Sequence, residues 1–321
     1  MIRIMAPLNE DCILDSVLEK ADEFYIGIAD KEWMEALQTA DSFNTRGNRN
    51  GFVNFHSMES LKKSLQTAAQ KHKPVYLTMN AQNIDTRGLQ IAQKTVEEFA
   101  SAGGTGLICS DLNGLAIANK VGLEAVLSTN MPVYNIKALE YLIEHYQILR
   151  VVLPRDMTLA EIKAFRQATD LQIEVFGMNF GCKYSNAHCL GTHNHSLGGF
   201  CYATRFIDWH YCSMNGQELE PELLYQSELN HWIFGKYFLN NACGLCALFE
   251  LNQLGIDSFK IVGRELAGSQ IESCLELVLQ CREAIKYCHN KQEFAESVKR
   301  KLGIQQQRQC QWGYQCYYPE F

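Results

Sequence analysis

The chain has 321 residues, 47% hydrophobic and 20% charged, with 29 Lys+Arg against 36 Asp+Glu and a formal charge of −7. At roughly 100–200 residues per domain, this length suits two domains or one large barrel, and it buries a core without help from disulfides. The apolar content excludes a disordered chain, and the acidic balance argues against a generally basic surface that neutralises nucleic-acid phosphates.

The opening MIRIMAPLNEDC has no secretory pattern, and no run reaches the ~18–20 apolar residues of a membrane span. A cytoplasmic protein without a membrane span is the expectation. In chain order, strands are predicted at Ile2–Ala6 and Glu23–Ile28, followed by a polar, Gly/Asn-rich loop over Asp41–Asn54. An amphipathic helix is predicted over Met58–His72, then a strand over Val75–Asn80, a helix over Gly88–Ala102 and a strand over Thr105–Cys109. Next come a strand over Glu124–Ser128, a helix over Ile136–His145, a strand over Leu149–Leu153, a helix over Leu159–Ala168 and a strand over Leu171–Phe176. From Gly177 to about Glu228 the periodicity stops and Cys, His, Gly and Asn dominate. Order returns at the strand Ser258–Val262, with helices over Glu265–Cys288 and Lys291–Leu302 and an aromatic tail, QCQWGYQCYYPEF.

Strand–helix alternation of this kind predicts an α/β fold with a parallel sheet and helices outside it. Eight units predict a TIM-barrel-like (β/α)8 barrel, with a doubly wound open sheet as the alternative. Residues 1–290 would form the barrel domain, carrying a Cys/His-rich insertion at 177–228 after strand seven, and residues 291–321 a C-terminal helix and tail. An insertion of that length without periodicity marks function or disorder, and its cysteines and aromatics favour function.

In such a barrel, reactive groups gather at the C-terminal strand ends. That rule selects Asn80, Ser110, Asp111, Ser128, Thr129, Asn130, Arg155 and the loop after Phe176, with Glu174, Lys260 and Arg264 in or beside the last two strands. A lone Glu174 inside the apolar run Ile173–Phe176 costs several kcal/mol unless paired. It is therefore either a buried ion pair with Lys260 or Arg155 that closes the barrel, or a carboxylate facing substrate. Arg155 and Arg264 are placed to clamp a carboxylate.

Thirteen cysteines in a reducing compartment are no disulfide framework. Cys182, Cys189 and Cys201 fall in one Gly-rich stretch as C-x6-C-x11-C, and Cys243 and Cys246 follow as C-x2-C. This spacing is wrong for a zinc ribbon and suits thiolate ligation of an iron–sulfur cluster. Cys12, Cys109, Cys274, Cys281 and Cys288 sit in strand or helix patterns and read as small hydrophobes. His188, His193, His195 and His210 neighbour the first group, so a mixed zinc site or a general-base histidine stand behind the cluster as alternatives. No phosphate-loop, dinucleotide-binding or hydrolase signature is present.

The segments EVFGMNFGCKYSNAHC (Glu174–Cys189), GGFCYATRF (Gly198–Phe206) and GIDSFKIVGR (Gly255–Arg264) resemble the peptidase U32 family, the collagenase-like peptidases. ADEFYIGI (Ala21–Ile28) and LRVVLPRDMTLAEI (Leu149–Ile162) agree in register with it. The resemblance implies a TIM-barrel-like domain with a [4Fe–4S] cluster on Cys182, Cys189, Cys201 and Cys246, with Cys243 competing for the fourth place. It implies oxygen-independent hydroxylation or related redox chemistry on a small aromatic or isoprenoid substrate, as in anaerobic ubiquinone biosynthesis. A carboxylate co-substrate such as prephenate would meet Arg155, Lys260 and Arg264, with Glu174 ordering them or moving a proton. The same resemblance carries a peptidase reading and a non-catalytic reading, in which the chain is a cluster-bearing subunit paired with another family member. The acidic charge weighs against RNA as substrate. The sequence departs from the family pattern at Cys201-Tyr-Ala-Thr-Arg205, where a second cysteine is absent, at Val262, which replaces an acidic residue, and at Asn130, which replaces Gln.

Overall fold

Short runs of Val, Ile, Leu, Phe and Tyr, apolar on both faces, are the composition of strands buried between a barrel interior and an outer helical layer. In the computed structural model, which describes residues 1–29, 31–36, 53–81, 84–131, 133–179, 242–302 and 316–318, they form such strands. These are β1 (Arg3–Pro7), β2 (Glu23–Ile26), β3 (Val75–Met79), β4 (Gly106–Cys109), β5 (Glu124–Leu127), β6 (Arg150–Val152), β7 (Gln172–Met178) and β8 (Ser258–Ile261). Each pairs in parallel with the next and β8 returns to β1, so the sheet closes into a barrel in sequence order. All eight predicted strands are present with ends shifted by no more than two residues, and the open-sheet alternative is excluded by the β1–β8 pairing.

One boundary is corrected. Gly177 and Met178, assigned by sequence to the insertion, belong to β7. The strand continues because Gly177 has no side chain: a Cβ there would lie 2.0 Å from the Phe259 ring on β8. A register shift between Phe176 and Met178 then brings Met178 opposite Ile261.

Helices α1 (Leu14–Lys20), α2 (Lys31–Ala36), α3 (Met58–Gln70), α4 (Thr86–Ser101), α5 (Leu112–Val121), α6 (Ile136–His145) and α7 (Leu159–Ala168) alternate with the first seven strands. Around and after β8 come α8 (Leu248–Gln253), α9 (Gly268–Ala284) and α10 (Lys291–Leu302). The spans of α6, α7 and α10 match the predicted ones, whereas α9 begins later than predicted and ends in a 3-10 turn, Ile285–Tyr287. Helix starts are set by side chains that accept from the first free backbone N–H groups. Asp85 caps α4 through Gly88, Asp111 caps α5 through Gly114, and Asn135 caps α6 through Ala138. Ser57 and Thr158 form full capping boxes with Ser60 and Glu161. These caps follow strands β2 to β6, so the polar residues that leave each strand also start the next helix.

Candidate active site at the barrel mouth

The barrel interior is polar where a hydrocarbon core would be expected. Glu23 of β2, Arg150 of β6, Glu174 of β7, and Ser258 and Lys260 of β8 are all buried. Arg150 binds Glu23 in a fork, Nη1 to Oε1 at 2.8 Å and Nη2 to Oε2 at 2.6 Å, and reaches Glu174 Oε2 at 2.9 Å. The other Glu174 oxygen accepts from Lys260 Nζ at 2.6 Å. Ser258 Oγ donates to Glu23 at 2.6 Å, and Lys260 Nζ stands 4.1 Å from the centre of the Tyr25 ring. Two carboxylates and two cations thus neutralise one another. Desolvating four charges costs several kcal/mol each, so the cluster persists because the geometry is saturated.

The ionisation follows from those contacts. Burial alone would raise the Glu174 carboxyl, but Lys260 and Arg150 outweigh it and hold it below the usual carboxylate range. Burial lowers the Lys260 ammonium, with Glu174 opposing the shift. Burial also opposes the charge on Arg150, and Glu174 and Glu23 overcome it.

Strand register stacks these groups along the barrel axis. Arg150 lies level with Gln172 and Val126 near the strand starts, Glu174 pairs with Ser258, and Lys260 pairs with Phe176 one step closer to the C-terminal end. Lys260 therefore forms the upper end of the buried chain, and the mouth lies above it.

Arg264 sits at this mouth, 5% exposed, with Nη1 donating to Asn54 Oδ1 at 3.1 Å and to Thr78 Oγ1 at 3.0 Å. It passes over Gly27, where a Cβ would fall 1.7 Å from Arg264 Nη1 and 2.1 Å from Asn54 Oδ1. Gly27 is thus the opening through which the guanidinium reaches Thr78. Gly263 turns the chain at φ 131° and donates its N–H to Tyr25 Oη at 3.2 Å. The Arg264 carbonyl accepts from Asn9 Nδ2 at 2.7 Å.

The Arg155 guanidinium lies 4.2 Å from the centre of the Phe176 ring. Glu174 is thus partnered by Lys260, as one predicted pairing has it, and by Arg150, whereas Arg155 stacks on the neighbouring aromatic. Glu174 is fully buried with both oxygens held, so it acts on the mouth only through Lys260.

Between these cations and the opposite wall the character changes. Asn80 after β3 and Thr129 after β5 each carry a buried oxygen, Oδ1 and Oγ1, without a hydrogen-bond partner among the described residues. Ser110 and Ser128 line the same β3–β5 side as buried hydroxyls.

The predicted thiol ligands divide. Cys182, Cys189 and Cys201, with His188, His193, His195 and His210, lie outside the described residues. The segment that carries them leaves and returns at one point: Asn179 N–H donates to the Ala242 carbonyl at 2.9 Å. Cys243 is buried one residue past that return, and Cys246 is half-buried in the 3-10 turn Leu245–Ala247. A thiol set of this chemistry fits an iron–sulfur cluster. Among the described residues, no group of three or more His, Cys, Asp or Glu is arranged to hold a metal. Cys109, Cys274 and Cys281 are buried in the core as predicted, whereas Cys12 and Cys288 are half-buried at its edge, and burial pushes Cys281 up to about 12.

In the aromatic tail, Tyr317 and Tyr318 are buried against the barrel, at 6% and 5% exposure. Tyr317 Oη donates to the Asn179 carbonyl at 2.5 Å and Tyr318 Oη to that of Phe176 at 2.7 Å. Trp312 and Tyr314 lie outside the described residues.

Sequence reasoning passed over Arg150 and Glu23. Arg150 gives the same signal as Glu174, one charge inside an apolar run. It also passed over Glu10, which accepts from the His56 backbone N–H at 2.9 Å, pairs with His56 Nδ1, and accepts from Ser60 Oγ at 2.6 Å. The Ser60 hydroxyl is directed at the carboxylate and not at the imidazole, so the three pin the start of α3 and make no nucleophile–base pair.

The family model described as peptidase family U32 matches residues 10–321. The chain is similar to "tRNA hydroxylation protein P1" of Bacillus subtilis (strain 168), 26% identical over 261 residues, covering 78% of this chain and 58% of that protein. It is also similar to "Collagenase" of Porphyromonas gingivalis (strain ATCC BAA-308 / W83), 24% identical over 206 residues, covering 60% of this chain and 45% of that one. The chain spans about half the length of the curated relatives it matches. A solved structure titled "The Structure of the U32 Peptidase Mk0906" matches with a TM-score of 0.44 and 14% identity, over 66% of this chain and 81% of that one.

Proposed function

This chain belongs to peptidase family U32, and we propose that within the family it is an iron–sulfur-dependent enzyme or enzyme subunit for oxygen-independent hydroxylation, or a related redox modification, of a small aromatic or isoprenoid substrate. The observation that carries this reading is the mouth itself, where Lys260, Arg264 and Arg155 stand with Phe176 above a buried, charge-balanced network. A ring bearing a carboxylate matches that set: cations for the acid, an aromatic wall for the ring, and Asn80 and Thr129 for hydroxyl groups. The relative named as a tRNA hydroxylation protein supports the hydroxylation chemistry, while the charge of −7 favours a small molecule over RNA here.

Cys182, Cys189, Cys201 and Cys246, with Cys243 as the alternative fourth ligand, would hold a [4Fe–4S] cluster supplying one-electron redox chemistry. The protein's own residues do the rest. Arg264 and Arg155 bind and orient a carboxylate co-substrate such as prephenate. Lys260 presents a proton held in place by Glu174, and Arg150 fixes Glu174 in turn.

Titration calorimetry with prephenate under anaerobic conditions tests the reading. Binding is expected in the wild type and a loss of at least tenfold in Arg264→Met. The relative named collagenase favours a second reading, peptide hydrolysis. Absence of prephenate binding together with cleavage of an unfolded peptide would replace the first reading with the second.

A further inference from the structure

Strand register sets a neutral polar layer at the ends of β3, β4 and β5. Tyr76 and Thr78 of β3 point into the barrel, where Tyr76 Oη accepts from Arg150 at 3.4 Å and Thr78 Oγ1 from Arg264 at 3.0 Å. Strand alternation turns Asn80 to the same side. Hydrogen bonds carry the pairing past the strand ends, Ser110 N–H donating to the Met79 carbonyl at 3.2 Å and Ser128 N–H to that of Cys109 at 2.8 Å. With Thr78 opposite Ile108 and Ile108 opposite Val126, Asn80, Ser110 and Ser128 lie level on three neighbouring strands, and Thr129 follows at the next position. We propose that Asn80, Ser110, Ser128 and Thr129 form a hydroxyl-recognition subsite, which makes the mouth selective for a hydroxylated ring acid over the same acid without its hydroxyl.

The hydrogen-bond balance decides what this layer takes. Ser110 Oγ gives its hydrogen to the backbone carbonyl of Met79 or Ala81, each at 3.4 Å, so its remaining capacity is as an acceptor. Ser128 Oγ accepts from Asn130 N–H at 3.2 Å. Asn80 Oδ1 and Thr129 Oγ1 are buried and have no hydrogen-bond partner among the described residues. The layer therefore calls for a ligand that brings hydrogens to it. A carboxylate or phosphate oxygen only accepts, and it would repel Asn80 Oδ1. A hydroxyl can donate to Asn80 Oδ1 and accept from Thr129 Oγ1 at once.

The subsite rests on the reading of the mouth as a site for a ring bearing a carboxylate, and it adds where the far end of that ring lies. Thr78, which holds Arg264, stands two residues before Asn80, about 7 Å along the strand. A six-membered ring with its acid side chain at Arg264 and a hydroxyl opposite spans that interval. Without the hydroxyl two buried oxygens stay unsatisfied, and a site built to pair a hydroxyl discriminates sharply against a ligand that lacks it.

Anaerobic titration calorimetry on the full chain tests the subsite with 4-hydroxyphenylpyruvate and phenylpyruvate, acids that differ by one hydroxyl, and with prephenate alongside. The wild type is expected to bind 4-hydroxyphenylpyruvate at least about tenfold more tightly than phenylpyruvate. In Asn80→Leu and Thr129→Val, with folding checked by circular dichroism, that ratio is expected to fall to about twofold or less, through lost affinity for the hydroxylated acid alone. Thr129→Val keeps the side-chain shape, so it decides the matter if Asn80→Leu does not fold. Prephenate binding without discrimination between the two other acids, or a ratio unchanged in the folded variants, would overturn the subsite and leave the carboxylate reading standing. Failure of all three acids to bind the wild type would overturn both.

Discussion

The ammonium of Lys260 and the carboxylate of Glu174 meet at 2.6 Å inside the barrel, at 7% and 0% exposure. A lysine so placed is charged because the acid beneath it is charged, and that acid is held by Arg150 on its other oxygen. The cationic character of the mouth therefore begins near the opposite end of the barrel, at the Arg150–Glu23 fork.

Arg150→Met strands Glu23 and Glu174 without their shared partner. Removing one member of a buried ionic network costs about 3–5 kcal/mol, and urea denaturation should show a loss of that size. A loss below about 1 kcal/mol would mean the network is slack.

Acid should weaken the fold through Glu174. Its folded-state carboxyl lies below the ordinary range, so its stabilisation is fully present above the unfolded value of about 4.3 and disappears as pH falls through the lower folded value. The urea midpoint of the wild type is expected to decline on acidification below about pH 4, with a shallower decline in Glu174→Gln. Parallel declines in the two proteins would remove Glu174 as the cause.

Much of this fold is written in local periodicity, and much of the site is not. All eight strands are visible as short apolar runs, because each is buried on both faces. Glu174 is visible as a charge where none is affordable, and Arg150 in Leu149–Leu153 carries the same mark. Which charges pair is invisible, since Arg150 meets Glu23 across 127 residues and only barrel closure brings them together. Arg264 was selected from its motif, but its partners Asn54 and Thr78 come from the β2–α3 connection and β3, and the opening that admits it is an unremarked glycine.

That glycine makes a sharp test. In Gly27→Ala the new methyl group would occupy the position of Arg264 Nη1 and crowd Asn54 Oδ1. The guanidinium must leave Thr78, costing about 1–3 kcal/mol as an overpacked site. Calorimetry should show prephenate affinity reduced at least as far as in Arg264→Met; unchanged affinity would mean Arg264 does not contact the ligand.

Tyr318→Phe removes the donor to the Phe176 carbonyl. A buried carbonyl left without its partner costs about 1–3 kcal/mol. Hydrogen exchange should quicken at the end of β7 and across residues 316–318, while the β3–β5 wall stays protected. Uniform protection across both regions would show that the tail does not brace β7.

The most direct measurement is iron and acid-labile sulfide on the full chain purified without oxygen, with its paramagnetic-resonance spectrum after reduction. About four irons and four sulfides per chain with a cluster signal, retained in Arg150→Met and lost or diminished in Cys246→Ser, is the expected result. A colourless protein with neither iron nor sulfide would contradict it.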